Sequence, residues 1–274
     1  MVRRSWSDVH QESRRISGAL AGHGIGPGSR VAILAANPGD VVPVVRAIWM
    51  RGASITMLHQ PTARTDLAAW SAEVDALLGM LAADAVILGD PFDRREPPGT
   101  VPVLRVGELL DGPDIDPVEP GEDDTALLQL TSGSTGSPKA IVVTHRNLYA
   151  NLTAMAQRME LEQSRDVVVS WLPLFHDMGM IALSILPMQL GLDAVLVTPA
   201  DFLRSPLVWA ELIDRYRATI TGAPDFGYTL LARRLRGTPD HAFDLSSMRV
   251  ALNGAEPIDC AAAASFIADG RRFG

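Results

Sequence analysis

The sequence contains a single cysteine, Cys260, which excludes an intrachain disulfide and a cysteine-rich zinc site and fits a reducing, cytoplasmic setting. It has no cluster of basic residues. Arg3-Arg4, Arg14-Arg15, Arg233-Arg234 and Arg271-Arg272 are isolated pairs that read as solvated, and the formal charge is −8. That balance argues against nucleic acid as a partner. No apolar segment follows Arg3 and Arg4, so the start does not read as a signal peptide. No apolar run reads as an integral membrane segment. The nearest, Met180 to Val197, is broken by Pro187, Gln189, Gly191 and Asp193, and reads as a buried helix, a turn and a strand. Three common active-site patterns are also missing. There is no Gly-x-Ser-x-Gly elbow, which leaves a serine hydrolase weakly supported. There is no Gly-Lys-Ser/Thr ahead of a helix, and no Gly-x-Gly-x-x-Gly opening one.

What is present is a chain of 274 residues, 47% hydrophobic and 20% charged, long enough to bury one large core or two smaller ones. Ser5 and Asp8 flank Trp6 in the manner of a capping box, with Val9, Ile16 and Leu20 near one helical face behind it. Turn residues from Gly22 to Gly28 precede a strand at Arg30–Ala35. Asn37-Pro38 opens a second helix that ends at Gly52. Ser54–Leu58 reads as a strand, Asp66–Leu81 as a helix and Ala85–Leu88 as a strand. Later helices are expected at Asn147–Glu160, Met178–Leu190, Pro206–Arg217 and Phe226–Leu235. They alternate with strands at Val167–Trp171, Ala194–Val197, Ala218–Thr221 and Met248–Leu252. This alternation predicts an α/β fold of βαβ units, with mainly parallel sheets flanked by helices. Asp111–Asp124 holds three prolines, two glycines and seven acids, and is the best candidate for a linker. The expected division is therefore 1–115 and 116–274.

The most specific stretch is Thr131-Ser132-Gly133-Ser134-Thr135-Gly136-Ser137-Pro138-Lys139. Small hydroxyl side chains, two glycines and a lysine suit a cradle for phosphate oxygens, made by backbone N–H groups and hydroxyls. An apolar run, Ala126–Leu130, leads in, and a β-branched run, Ile141–Thr144, leads out. The bland alternative is a Ser/Gly turn joining two strands of a hairpin. Three further segments each follow an expected strand: Trp171–Gly179, which contains His176-Asp177-Met178-Gly179; Thr221–Phe226; and Asn253-Gly254-Ala255-Glu256-Pro257. Ligands in such sheets bind at the carboxyl ends of strands, so all four are expected at one edge.

The nine-residue stretch resembles the phosphate-binding signature of the adenylate-forming, AMP-binding enzymes. Trp171–Gly179, Asn253–Pro257 and Asp244–Arg249 resemble the fatty acyl-AMP ligase and acyl-CoA synthetase branch, and the likeness runs from about Trp6 to the last residues. It implies a two-step ligase: ATP and a fatty acid give acyl-AMP and pyrophosphate, then a thiol takes the acyl group. The thiol belongs to the phosphopantetheine of an acyl carrier protein or polyketide synthase, or to CoA. The physical problem of the first step is charge, because a carboxylate must approach a polyanionic phosphate.

The resemblance assigns Thr131, Ser132, Ser134 and Thr135 to the phosphate oxygens, with Gly133 and Gly136 allowing close backbone approach. Lys139 adds positive charge near the β- and γ-phosphates. Asn253, Gly254, Ala255 and Glu256 line the adenine. His176 is the gate beside the acyl-adenylate linkage, and Asp177 is expected to cap the following helix rather than act in chemistry. Met180 and Ile181, with Phe226 and Leu230, are candidate walls for the acyl chain, although such stripes more often face a plain core. Mg²⁺ would arrive with the nucleotide rather than on a protein cluster.

Two departures stand out. Ala140 replaces a common glycine. Asp225 stands where the branch often has asparagine, and a carboxylate there would repel an anionic adenylate. The family also continues beyond residue 274 into a metal-binding acid, a ribose-binding aspartate and a small domain carrying the adenylation lysine. The chain is therefore expected to be the N-terminal part of a ligase, weakly active or inactive alone. The competing expectation is a non-catalytic nucleotide or acyl-adenylate binding module, or the remnant of a broken gene.

Overall fold

Strand β1 (Arg30–Leu34) is the centre of the first sheet, and its last four residues are buried. It is reached through α1 (Trp6–Gly22), whose Ser5 hydroxyl accepts from the Asp8 N–H while the Asp8 carboxylate accepts from the Ser5 N–H, the reciprocal cap anticipated above. Then follow α2 (Pro38–Met50), capped by Asn37 with Pro38 in its first turn, β2 (Ser54–Met57), α3 (Leu67–Leu81), capped by Asp66, and β3 (Ala85–Leu88). A short β4 (Val103–Arg105) runs into α4 (Val106–Leu109), and the sheet closes with β5 (Thr125–Ser132) and β6 (Pro138–Thr144). These positions belong to a computed structural model that describes residues 2–62, 64–94, 101–132 and 138–274.

The sheet order is β4-β3-β1-β2-β5-β6. All neighbours are parallel except β5 and β6, which form an antiparallel hairpin from Thr125↔Thr144 to Ser132↔Pro138. On one face α3 lays down Trp70, Val74, Leu77, Leu78 and Leu81, at helical spacing. They pack with Ala32, Leu34, Val86, Leu88, Leu128 and Leu130 of the strands. Each such side chain, fully buried, contributes about 1.5–3 kcal/mol.

The second sheet has the order β10-β9-β7-β8 and is wholly parallel. Its elements follow α5 (His145–Arg158): β7 (Val167–Ser170), a π-helical segment Met178–Ile185 continuing into α6 (Leu186–Leu190), β8 (Asp193–Leu196), α7 (Pro199–Arg204), α8 (Leu207–Tyr216), β9 (Ile220–Ala223), α9 (Asp225–Leu235), β10 (Val250–Asn253) and α10 (Cys260–Gly270). Its core holds an aromatic cluster among aliphatic side chains. Trp171 stacks on Phe202 with ring centroids 3.8 Å apart, and Trp209 meets both edge-on. Trp209 is also fixed by its indole N–H, which donates to Thr221 Oγ1 at 2.8 Å, while that hydroxyl donates to Val169 O.

The starts of β7, β9 and β10 are joined by one buried carboxylate. Asp166 accepts from the Glu162 N–H, from Thr219 Oγ1 at 2.8 Å, and from the guanidinium groups of Arg165 and Arg249. Burial pushes its pKa up, but the hydrogen bonds from Arg165, Glu162, Thr219 and Arg249 outweigh it and hold the carboxyl down at about 2.

The α/β class and mainly parallel sheets match expectation. The chain divides into units 1–151 and 152–274 rather than at 115/116. The reason is that β5, beyond the acidic segment, pairs with β2, so it extends the first sheet. The acidic segment is also no free linker. Arg14 binds Asp114 and Asp116, Arg15 donates to Leu110 O, and the Val118 N–H donates to Met50 O at 2.7 Å. The Arg14-Arg15 pair is thus tied to this strap rather than simply solvated. The approach is close enough that a Cβ built on Gly18 would lie 1.8 Å from Pro113 O. Among the described residues no helix is long and apolar enough to cross a membrane.

Candidate functional site

In the first unit, β5 ends and β6 begins within the Ser/Thr/Gly-rich stretch, at Ser132 and Pro138. The antiparallel register sets Thr131 directly opposite Lys139, and both are exposed. Directly opposed residues of an antiparallel pair share a face with Cβ atoms about 5 Å apart. A hydroxyl and an ammonium therefore stand side by side near the end of the ladder. The backbone of Ser132 closes the ladder against Pro138. Gly133, Ser134, Thr135, Gly136 and Ser137 lie outside the described residues, as does the side chain of Ser132. The antiparallel strand pairing that the bland alternative requires is thus observed for β5 and β6.

In the second unit, parallel strands send their carboxyl ends to one edge of the sheet, and the three other segments leave from there. The Trp171–Gly179 segment follows β7, Pro224-Asp225 follows β9, and Gly254-Ala255-Glu256 follows β10. His176 is partly exposed, and its Nδ1 lies 2.8 Å from Asp177 Oδ1. With Nδ1–H donating to that carboxylate, Nε2 of a neutral ring is the acceptor. Asp177 accepts from the Met178 N–H at 2.7 Å, which is the capping role expected of it. The helix it caps is π-type, a form frequent at functional sites.

The acyl-wall candidates divide by burial. Met180 is buried, Ile181 is half-buried, and Leu230 packs half-buried against the core. Phe226 is 46% exposed and meets Trp171 edge-on at 5.8 Å. Gly227 follows because a Cβ there would lie 2.6 Å from Trp171 Cζ2. The Trp171 indole N–H is buried with no acceptor among the described residues.

The second and third segments are tied together. Asn253 Nδ2 donates to Asp225 Oδ1 at 2.5 Å, the Asp259 N–H donates to Asp225 Oδ2 at 2.5 Å, and the Phe226 N–H donates to Glu256 Oε1 at 3.1 Å. Tyr228 adds a bond from its hydroxyl to Leu252 O, and burial pushes that phenol upward in pKa. These contacts bear on two expected site residues. Glu256, assigned to the adenine, has an oxygen engaged by α9. Asp225, expected to act by repulsion, has both oxygens occupied by N–H donors. The sequence flagged Asp225 as a departure but gave no sign of its partners, which lie 28 and 34 positions away. Among the described residues nothing lies within 4 Å of the Cβ position of Gly254, and Ala255 has φ +73°. The loop backbone at Gly254 therefore borders open space, which fits a flat base laid against it. Among the described residues no group of three His, Cys, Asp or Glu is placed to hold a metal ion.

Comparison with known proteins gives a consistent outcome. The profile of the family described as AMP-binding enzyme matches residues 2–272. A Mycobacterium tuberculosis protein, Rv1013, named as a ligase, is 50% identical over all of this chain and 51% of its own length. The medium-chain-fatty-acid–[acyl-carrier-protein] ligase TtuA of Teredinibacter turnerae is 42% identical over 53% of this chain and 22% of its own. Among solved structures, the fatty acyl-adenylate ligase of L. pneumophila, in complex with acyl adenylate and pyrophosphate, superposes with a TM-score of 0.88. It is 28% identical, covering 98% of this chain and 47% of that one. The chain thus spans about half the length of the two relatives it matches end to end.

Proposed function

The chain belongs to the AMP-binding enzyme family, and from that premise we propose that it takes part in activating a fatty acid. ATP and the carboxylate give acyl-AMP and pyrophosphate, and a thiol then takes the acyl group. The observation that carries this reading is the register of the hairpin, with exposed Thr131 and Lys139 side by side near the end of the ladder, within the Ser/Thr/Gly-rich stretch. In the first step a carboxylate oxygen attacks the α-phosphorus and the bond to the pyrophosphate oxygen breaks. Lys139 and the hydroxyls of Thr131, Ser132, Ser134 and Thr135 offset the charge that gathers on the phosphate oxygens. Mg²⁺ entering with the nucleotide supplies the remaining positive charge.

Gly254 and Ala255 bound the base, supported by the open space at Gly254. His176 stands beside the carboxylate, its ring orientation set by Asp177. Phe226, Ile181 and Met180 face the acyl chain. The acceptor thiol is that of a carrier protein, supported by the carrier-protein ligase among the relatives; CoA is the alternative acceptor. The single, exposed cysteine suits a cytoplasmic protein.

The test is fatty-acid-dependent exchange of label between pyrophosphate and ATP, run beside binding of a non-hydrolysable acyl-adenylate analogue. Binding with chain-length preference is the expected result. Binding without exchange identifies a binding module rather than a complete catalyst. A chain that binds neither ATP nor the analogue rules the reading out.

A further inference from the structure

The Asp225 carboxylate has no task in the reaction just described. It is 8% exposed and is the first residue of α9, directly beyond β9. Its two oxygens reach the two ends of one loop: Asn253, where β10 stops, and Asp259, which caps α10. The next residue, Phe226, holds the middle of that loop through Glu256. The first turn of α9 thus ties residues 253–259 at their start, middle and end. Between the ties Ala255 sits at φ +73°, in the left-handed region, which costs a non-glycine residue about 1–2 kcal/mol. Such a conformation persists only where its surroundings enforce it. A carboxylate can only accept, so Asp225 also fixes which end of the Asn253 amide faces it.

We propose that Asp225 is a positioning residue for the nucleotide: it holds the loop 253–259 so that the backbone at Gly254 and Ala255, rather than any side chain, meets the purine base. The inference rests on the reading that this loop lines the adenine. It gives the carboxylate a structural role beside its charge, because both oxygens are already engaged by N–H donors. An asparagine at 225 keeps the bond to Asp259 but lets the Asn253 amide turn over. An alanine loses both bonds.

The test is equilibrium binding of ATP and of inorganic tripolyphosphate to the 274-residue chain, since tripolyphosphate carries the charge without the base. Asp225→Ala should weaken ATP about tenfold, the effect of losing charge-assisted hydrogen bonds, and leave tripolyphosphate within about twofold. The exchange of Asp225→Asn together with Asn253→Asp moves the carboxylate onto the loop and keeps both bonds, so ATP affinity should return to within about threefold. Should Asp225→Ala fail to fold, Asn253→Asp alone, which opposes two carboxylates, is compared with the exchange. Unmoved ATP affinity, equal loss of both ligands, or no recovery in the exchange overturns the positioning role alone. A wild-type chain that binds tripolyphosphate but not ATP overturns the nucleotide reading and the inference together.

Discussion

In the first unit, Thr131 and Lys139 are neighbours because two backbones are hydrogen-bonded to each other, and both side chains stand on the surface. In the second, Asn253, Glu256 and Asp225 are neighbours because their side chains bond across from one strand end to the next, around a buried Asp225 carboxylate. The first arrangement separates function from stability: the ladder does not depend on what the exposed side chains are. The second couples them, since the groups that shape the loop also join β9, α9 and β10.

The largest expected effect is on the second unit's polar joint. Asp166→Ala leaves Arg165 and Arg249 without their buried partner. It should cost about 3 kcal/mol, the low end for removing one member of a buried pair, because both arginines stay partly wet. Urea unfolding followed by tryptophan fluorescence would show it. Equal stability would dissolve the contrast between the units. The same carboxylate predicts a pH signature. Its folded pKa of about 2 lies below the ordinary 3.8, so the unfolded chain binds the proton more readily. Its contribution is complete above about pH 4 and is lost as the pH falls toward 2. The stability gap between wild type and Asp166→Asn should therefore close across that window.

Next in size is Gly254→Val. The open space there should accept the side chain without loss of stability while blocking a base, weakening ATP by about tenfold or more. A fall in thermal midpoint with unchanged ATP affinity would place the base elsewhere. Lys139→Ala should weaken ATP or slow exchange by about tenfold, the worth of one charged hydrogen bond, with stability within about 0.5 kcal/mol. A large stability loss would break the claim that the hairpin separates the two properties. The smallest effect is Ser5→Ala, which removes the cap of α1 and should cost about 1 kcal/mol, read as a shift in the urea midpoint.

Much of the framework was legible because it is local. The Ser5–Asp8 box, the Asn37 and Asp66 caps and the β-branched strand at Ala85–Leu88 are written in adjacent residues. Strand direction is not local. Ile141–Thr144 reads as a strand, but nothing within it says that β6 runs antiparallel to β5 as an exposed edge. The π-helix at Met178–Ile185 was expected as an ordinary helix, because its apolar composition fits either winding. The short β4, α4 and α7 are too brief to show a period in the sequence, and α10 is an alanine-rich helix without a fully buried residue to mark its face. At the candidate site, the residue types were legible and their commitments were not. Glu256 reads as available until α9 is seen to claim it.

The contact of Gly18 with Pro113 bears on how the sequence can drift. A methyl group at position 18 has no room unless the strap retreats, and Gly112 faces the same problem against Arg15 O and Ala19. The two glycines, nearly a hundred residues apart, are therefore constrained as a pair. A side chain at either one requires the acidic segment to lift away from α1, taking with it the carboxylates that neutralise Arg14. Substitutions along this seam should be inherited together or not at all.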